Sequence, residues 1–300
     1  MTIVAREDLS QRRGLSKSAL TTFDICAQKA WQRKYFPRPF IPKPKMTFGS
    51  CVDAGVEILV TYARAGLELD IERAMAAAVE VQERDGIEVD MAEVESALGA
   101  FVTDVIPAFD WSLCRTQAHI HVTLEWGEVD GHPDLILSSN AVWDVKTAAN
   151  PKKTARTIEG GLYALMVEEE TGKPVPEFGY LVWVRGGYWQ GFGSDAIHQR
   201  ELKSGPRKGQ MVNEGHEVPH TYVDDELRRW TKARVSAYVN ADRADDLLNG
   251  ARARRGMEPL NYTFPSFAVN ASICGDCEFN PHLGGNCQLA PGNVEEDDNE

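Results

Sequence analysis

Residues 131–147 run Gly131-His132-Pro133-Asp134-Leu135-Ile136-Leu137-Ser138-Ser139-Asn140-Ala141-Val142-Trp143-Asp144-Val145-Lys146-Thr147. The pattern predicts two short strands, Asp134 to Leu137 and Val142 to Lys146, joined by a turn at Ser138, Ser139 and Asn140. Residues two apart in a strand face the same side, so the Asp144 carboxylate and the Lys146 ammonium project together. Carboxylates converging from adjacent strands suit a hard divalent cation such as magnesium, which prefers oxygen ligands. A lysine beside them can orient or help deprotonate a metal-held water and stabilise charge developing on a phosphate. On its own an Asp-x-Lys tripeptide most often marks an ordinary surface strand, so the meaning of this one depends on what surrounds it.

Upstream, Ile120, Val122, Leu124 and Trp126 alternate with His119, His121, Thr123 and Glu125, the period of a half-buried strand. With the two strands already read, this makes a three-strand β-meander. Downstream, a helix is expected from about Thr154 to Glu170, then a buried strand from Tyr180 to Val184, a polar mobile loop around Lys203 to Gly215, and a last helix from about Asp224 to Leu248. The first third reads as helical: Leu15 to Tyr35, a proline-rich connector to Lys45, then Gly49 to Gly66, Leu69 to Gln82 and Ala92 to Cys114, the last broken or kinked at Pro107. Helices, strands, helix, strand and helix in that order predict an α/β domain, a mixed sheet flanked by helices.

Composition sets the outer limits. With 43% hydrophobic and 26% charged positions among 300 residues, the chain can bury a sizeable core, which excludes a disordered or fibrous protein. No signal peptide and no membrane-length apolar run is present, so a cytoplasmic location without membrane attachment is expected. The net charge of -13 opposes binding to a polyanion, but the charge is segregated. Residues 1–46 carry ten basic and three acidic side chains, and residues 47–130 four basic and seventeen acidic ones. The basic segment is either a phosphate-binding surface or a solvated face. Arg33 and Lys34, flanked by Trp31 and Tyr35, are its candidate DNA contacts. Residues 291–300 read as an acidic, disordered tail.

These motifs together resemble the PD-(D/E)XK nuclease superfamily. Gly131-His132-Pro133-Asp134 followed by Asp144-Val145-Lys146 looks like the family core, which implies a restriction-endonuclease-like mixed sheet and a catalytic set of Asp134, Asp144 and Lys146 around magnesium or manganese. Gly49-Ser50-Cys51-Val52-Asp53 is similar to the helix motif of RecB-type members, with Asp53 where a metal-binding histidine is usual. Glu159-Gly160-Gly161-Leu162-Tyr163 is similar to their Gln-x-x-x-Tyr helix, with Glu159 in place of glutamine and Tyr163 one turn later. Glu125 resembles the glutamate found on the preceding strand.

Six cysteines are too few for a disulfide scaffold, and Cys274, Cys277 and Cys287 crowd near the C-terminus, as metal ligands do. With Cys26 they resemble the iron–sulfur subset of RecB-like nucleases, which includes CRISPR-associated RecB-type exonucleases and the AddB nuclease domain. The resemblance implies a [4Fe–4S] cluster on Cys26, Cys274, Cys277 and Cys287 that joins residues 1–46 to 265–290, and a single nuclease domain over 1–290. The spacing Cys274-x2-Cys277-x4-His282-x4-Cys287 also fits a zinc knuckle, which would leave Cys26 outside the site. Cys51 and Cys114 read as core thiols. The expected activity is a metal-dependent DNA exonuclease preferring single-stranded ends, acting in recombination, repair or CRISPR-related processing with protein partners of those systems. The rival is a non-catalytic nucleic-acid-binding accessory protein that keeps the fold.

Overall fold

The computed structural model describes residues 15–35, 41–149, 155–185, 187–190, 198–201, 211–214, 220–258 and 260. In chain order β1 (Leu15–Ser16) leads into α1 (Lys17–Ile25), α2 (Ala27–Tyr35), α3 (Pro44–Ala65), α4 (Ile71–Asp85) and α5 (Met91–Ala100). Strands β2 (Arg115–Thr116), β3 (Ile120–Leu124), β4 (Gly127–Gly131), β5 (Leu135–Ile136) and β6 (Val142–Ala148) follow, then α6 (Ile158–Thr171) and β7 (Glu177–Val184). Beyond them come β8 (Tyr188–Trp189), β9 (His198–Glu201), β10 (Met211–Glu214), β11 (His220–Tyr222) and α7 (Asp225–Ala253). The architecture is mixed α/β, with sheets of mixed strand direction and helices beside them. Among the described residues, no helix is long and apolar enough to cross a membrane.

The chain divides into two compact units. The larger, 41–120 with 131–228, holds a six-stranded sheet in the order β11-β7-β6-β5-β2, with β8 paired to β7. Only β6 and β7 run parallel, from Val142 opposite Phe178 to Ala148 opposite Val184, and α6 is the crossover that a parallel pair requires. Side chains alternate across the pleat. Trp143 and Val145 of β6, with Leu181 and Trp183 of β7, enter a core shared with Phe48, Val52 and Leu59 of α3 and Leu98 of α5. Burying each such side chain contributes ~1.5–3 kcal/mol. Asp144 and Lys146, out of phase with that core, are left to the opposite face.

In the smaller unit β1 runs parallel to β4, which lies between β1 and β3. There Phe23, Ala27 and Trp31 pack with Tyr238 and Ala241 of α7. The Phe23 and Tyr238 rings meet edge to face at 5.2 Å.

Several sequence expectations change here. The stretch from Leu15 to Tyr35 is two helices, because Cys26 is extended at φ -157° and ψ 103°. No glycine or proline marks the break; instead the Cys26 thiol accepts the Lys29 N–H at 3.4 Å and caps α2. The helix expected over 92–114 stops at Ala100, before Pro107, and continues as a π-turn over Phe101–Val105 and a 3-10 turn over Ile106–Ala108. Phe101 and Val105, four residues apart in this turn, are both fully buried. The three-strand meander is also corrected. Between its first two expected strands lies β4, and β3 pairs with β4 while β5 and β6 belong to the other sheet. Gly127-Glu128-Val129-Asp130-Gly131 has one apolar side chain, so no alternation announced it. Met211–Glu214, expected within a loop, pairs antiparallel with β9.

Candidate active site

Leu135 pairs with Trp143, which brings Asp134, just ahead of β5, level with Asp144 on β6. The Asp134 carboxylate is held from two sides: Val145 N–H donates to Oδ2 at 2.8 Å and Gln117 Nε2 donates to Oδ1 at 3.3 Å. Gln117 also donates its N–H to the Asp134 carbonyl at 2.8 Å. Its φ of 44° is left-handed, a conformation that costs a non-glycine residue ~1–3 kcal/mol and that tends to be kept at functional sites.

The Asp144 side chain is 1% exposed and forms an ion pair with Lys146 Nζ, which also lies 3.9 Å from Glu159 Oε1. Burial pulls the Lys146 pKa down, yet the charges of Asp144, Glu159 and Asp134 outweigh it and the net direction is up. The ammonium therefore stays charged at any physiological pH.

Glu159 stands in the first turn of α6, where Thr157 caps the helix by accepting the Gly160 N–H at 3.2 Å. Tyr180, opposite Asp144 on β7, donates its hydroxyl to Glu159 Oε2 at 2.8 Å and lies 3.0 Å from Thr157 Oγ1. Tyr163 donates to the His132 carbonyl at 2.9 Å. Burial first, then the charges of Asp144, Glu159 and Asp134, hold the Tyr163 pKa far above its ordinary value. For Tyr180 burial is again the leading cause, followed by the charge of Glu159. Both phenols are lasting hydrogen-bond donors.

The structure thus places Asp134, Asp144, Lys146, Glu159 and Tyr163 in one unit, around the β5–β6 pair and the start of α6. Asp53 of α3 lines a cleft with Glu57, Gln117, Asp134 and Val145, so it meets this set through Asp134. Among the described residues, no three His, Cys, Asp or Glu side chains gather at metal-binding separation. The side chains nearest Asp134 offer carboxylate oxygens, the ligand type that a hard cation prefers. Gln117, Thr157 and Tyr180 are site residues that the sequence did not announce. Gln117 carries no sequence signal for a left-handed backbone, and Tyr180 reads as one more apolar strand position until the parallel register sets it opposite Asp144.

Other candidates fall elsewhere. Cys26 is half-exposed at the break before α2, while Cys274, Cys277 and Cys287 lie outside the described residues. Cys51 and Cys114 are buried, and burial pushes the Cys114 thiol up to about 11. Arg33 is exposed and donates to Thr22 Oγ1 at 3.1 Å. Lys34 turns inward, its side chain 11% exposed, onto Asp242, Asp245 and Asp246 of α7. Glu125 lies in the turn after β3, 3.7 Å from Lys232.

No family model and no curated protein matches the chain. Among solved structures, it is similar to a "Putative exonuclease" from Eubacterium rectale at a TM-score of 0.45 and 13% identity, over 83% of this chain and 88% of that one. It is also similar to SSO0001 at a TM-score of 0.26 and 12% identity, over 91% of this chain and 96% of that one.

Proposed function

We propose that the chain is a PD-(D/E)XK-type, RecB-like nuclease that hydrolyses phosphodiester bonds of DNA from single-stranded ends, with magnesium or manganese as its cation. The observation that carries this reading is the pairing of β5 with β6, which sets Asp134 level with buried Asp144, two residues from Lys146 on the same strand face. When bound, the cation supplies Lewis acidity toward the scissile phosphate and lowers the pKa of a water. Asp134 and Asp144 would hold it, with Asp53 reaching from α3. Val145 N–H and Gln117 fix the Asp134 oxygens, and Tyr180 fixes Glu159, so these carboxylates need little reorganisation. The Lys146 ammonium, kept charged by its neighbours, orients the attacking water and stabilises negative charge growing on the phosphate. Tyr163 holds the turn that presents Asp134. Cys26, half-exposed at the α1–α2 break, suits one thiolate ligand of a structural [4Fe–4S] cluster completed by Cys274, Cys277 and Cys287.

The direct ion pair between Lys146 and Asp144 favours a second reading, a nucleic-acid-binding accessory protein without catalysis. One experiment separates the two. End-labelled single-stranded DNA incubated with the protein in magnesium or manganese should shorten from its ends, and Lys146→Ala should stop this while DNA binding persists. DNA that is bound but left intact in both cations would establish the accessory reading, and full activity of Lys146→Ala would overturn the assignment of this strand pair as the active site.

A further inference from the structure

We propose that His119 and His132 form a stacking platform for an unpaired base of the DNA strand, a reading that rests on the nuclease assignment above. The two imidazoles lie face to face, with centroids 4.5 Å apart and planes 7° from parallel. Both residues are exposed, and both stand outside helix and strand, His119 just before β3 and His132 between β4 and β5. Solvent-facing histidines in irregular backbone gain little from ordering two rings against each other, because little apolar area leaves water. The backbone holds them there nonetheless. The His132 carbonyl accepts the Tyr163 hydroxyl at 2.9 Å. Gly131, next to it, is pressed so closely on α6 that a Cβ would lie 2.8 Å from Met166 Cε and 3.1 Å from Tyr163 Cε1. On the other side, His119 follows Gln117, whose N–H and side chain both bind Asp134.

The stack is therefore anchored through the same two segments that present Asp134 to the cleft. A flat, preset π-surface, each ring two residues along the chain from Gln117 or Asp134, matches one ligand feature, the face of a nucleobase, and histidine is among the side chains that stack on splayed bases. In duplex DNA each base is held by its pairing partner as well as by its stacked neighbours, and freeing one costs a few kcal/mol. An end without a partner strand presents its base at no such cost. The platform thus gives the preference for single-stranded ends a physical origin and assigns the choice of substrate to residues separate from those that act on the phosphate.

The test measures binding rather than cleavage. A fluorescent hexathymidylate and its fully abasic counterpart are titrated with protein in EDTA, and anisotropy gives the affinities. His119→Ala with His132→Ala should weaken hexathymidylate binding about tenfold or more, as the loss of a stacked base does. The same double variant should bind the abasic strand as the wild type does. His119→Phe with His132→Phe keeps both ring faces and should restore the affinity for hexathymidylate, which loss of a merely structural imidazole contact would not allow. Unchanged affinity in the alanine variant, or an equal loss on the abasic strand, overturns the proposal. Base-dependent binding by a wild-type protein that cleaves nothing in magnesium or manganese would remove the nuclease reading and leave the platform standing.

Discussion

Replacing Lys34 by methionine should loosen the smaller unit, and the size of the effect follows from where the ammonium sits. Lys34 Nζ lies 2.8 Å from Asp242 Oδ1, 2.7 Å from Asp246 Oδ1 and 3.3 Å from Asp245 Oδ2. Asp242 and Asp246 are partly exposed and can turn to water, but the Asp245 side chain is 0% exposed. Methionine keeps the stem and removes the charge, so Asp245 is left as a buried anion. Losing one partner of a buried ion pair costs ~3–5 kcal/mol. Trp31 Nε1 at 3.1 Å, Asn249 Nδ2 at 2.9 Å and the Tyr35 hydroxyl at 2.5 Å still donate to Asp245, which keeps the cost at the low end, about 3 kcal/mol.

The pH dependence has a definite sign. Burial already holds the Asp245 pKa above the usual carboxylate range, against the pull of its hydrogen bonds and of Lys34. Removing Lys34 raises it further. A carboxyl raised in the folded state costs stability once pH climbs through its folded pKa, so the deficit is full at neutral pH and shrinks as pH falls back through that value. Hydrogen exchange of the amides in α2 and in the middle of α7 reads the effect locally; about 3 kcal/mol corresponds to roughly a hundredfold faster exchange. Unchanged protection at neutral pH, or a deficit that grows in acid, would refute the reasoning.

Exposed Arg33, rather than inward Lys34, should carry any phosphate contact of this segment, so Arg33→Ala should lower both DNA affinity and its salt dependence, while Lys34→Met leaves both unchanged under folded conditions. Tyr180→Phe strips Glu159 of its 2.8 Å donor, a bond to a charged group worth ~1.5–3 kcal/mol; urea unfolding should show a loss of that order, and single-turnover cleavage should fall less than in Lys146→Ala. Asp53→Ala should cut cleavage and weaken manganese binding by calorimetry, and Asp53→His should recover part of both if the carboxylate stands in for an imidazole ligand. Anaerobically purified protein should be brown with about four irons per chain, and alanine at Cys26, Cys274, Cys277 or Cys287 should bleach it; a colourless protein with one zinc, indifferent to Cys26→Ala, would establish the zinc knuckle.

What the sequence revealed depended on whether the signal was local. The turn before β6 was legible because Ser138, Ser139 and Asn140 are turn residues, and Asn140 takes φ 67°, a left-handed conformation that its residue type tolerates. The placement of Asp144 and Lys146 on one face was legible because strand alternation is strict. β4 was hidden by its two glycines and two acids, since pairing and not apolar patterning makes it a strand. Lys34 was read among nearby basic residues, while the carboxylates that claim it stand some two hundred positions later. Gln117 and Tyr180 gained their significance from long-range register, which no window on the sequence contains.

The two parallel strands β6 and β7 are held in one register by a pair of unequal side chains. Trp143 lies opposite Gly179, and any side chain at 179 would collide with its indole. The tryptophan fills the space the glycine leaves, and a shift of one residue along β7 would bring a bulky neighbour under the ring. Because a slip of one position exchanges the two faces of a strand, this fit between a large and an absent side chain keeps Asp144 and Lys146 turned away from the apolar core. Among relatives, positions 143 and 179 should change size in opposite directions and together, and a lineage that enlarged the glycine alone would lose its chemistry without a substitution at any residue that performs it.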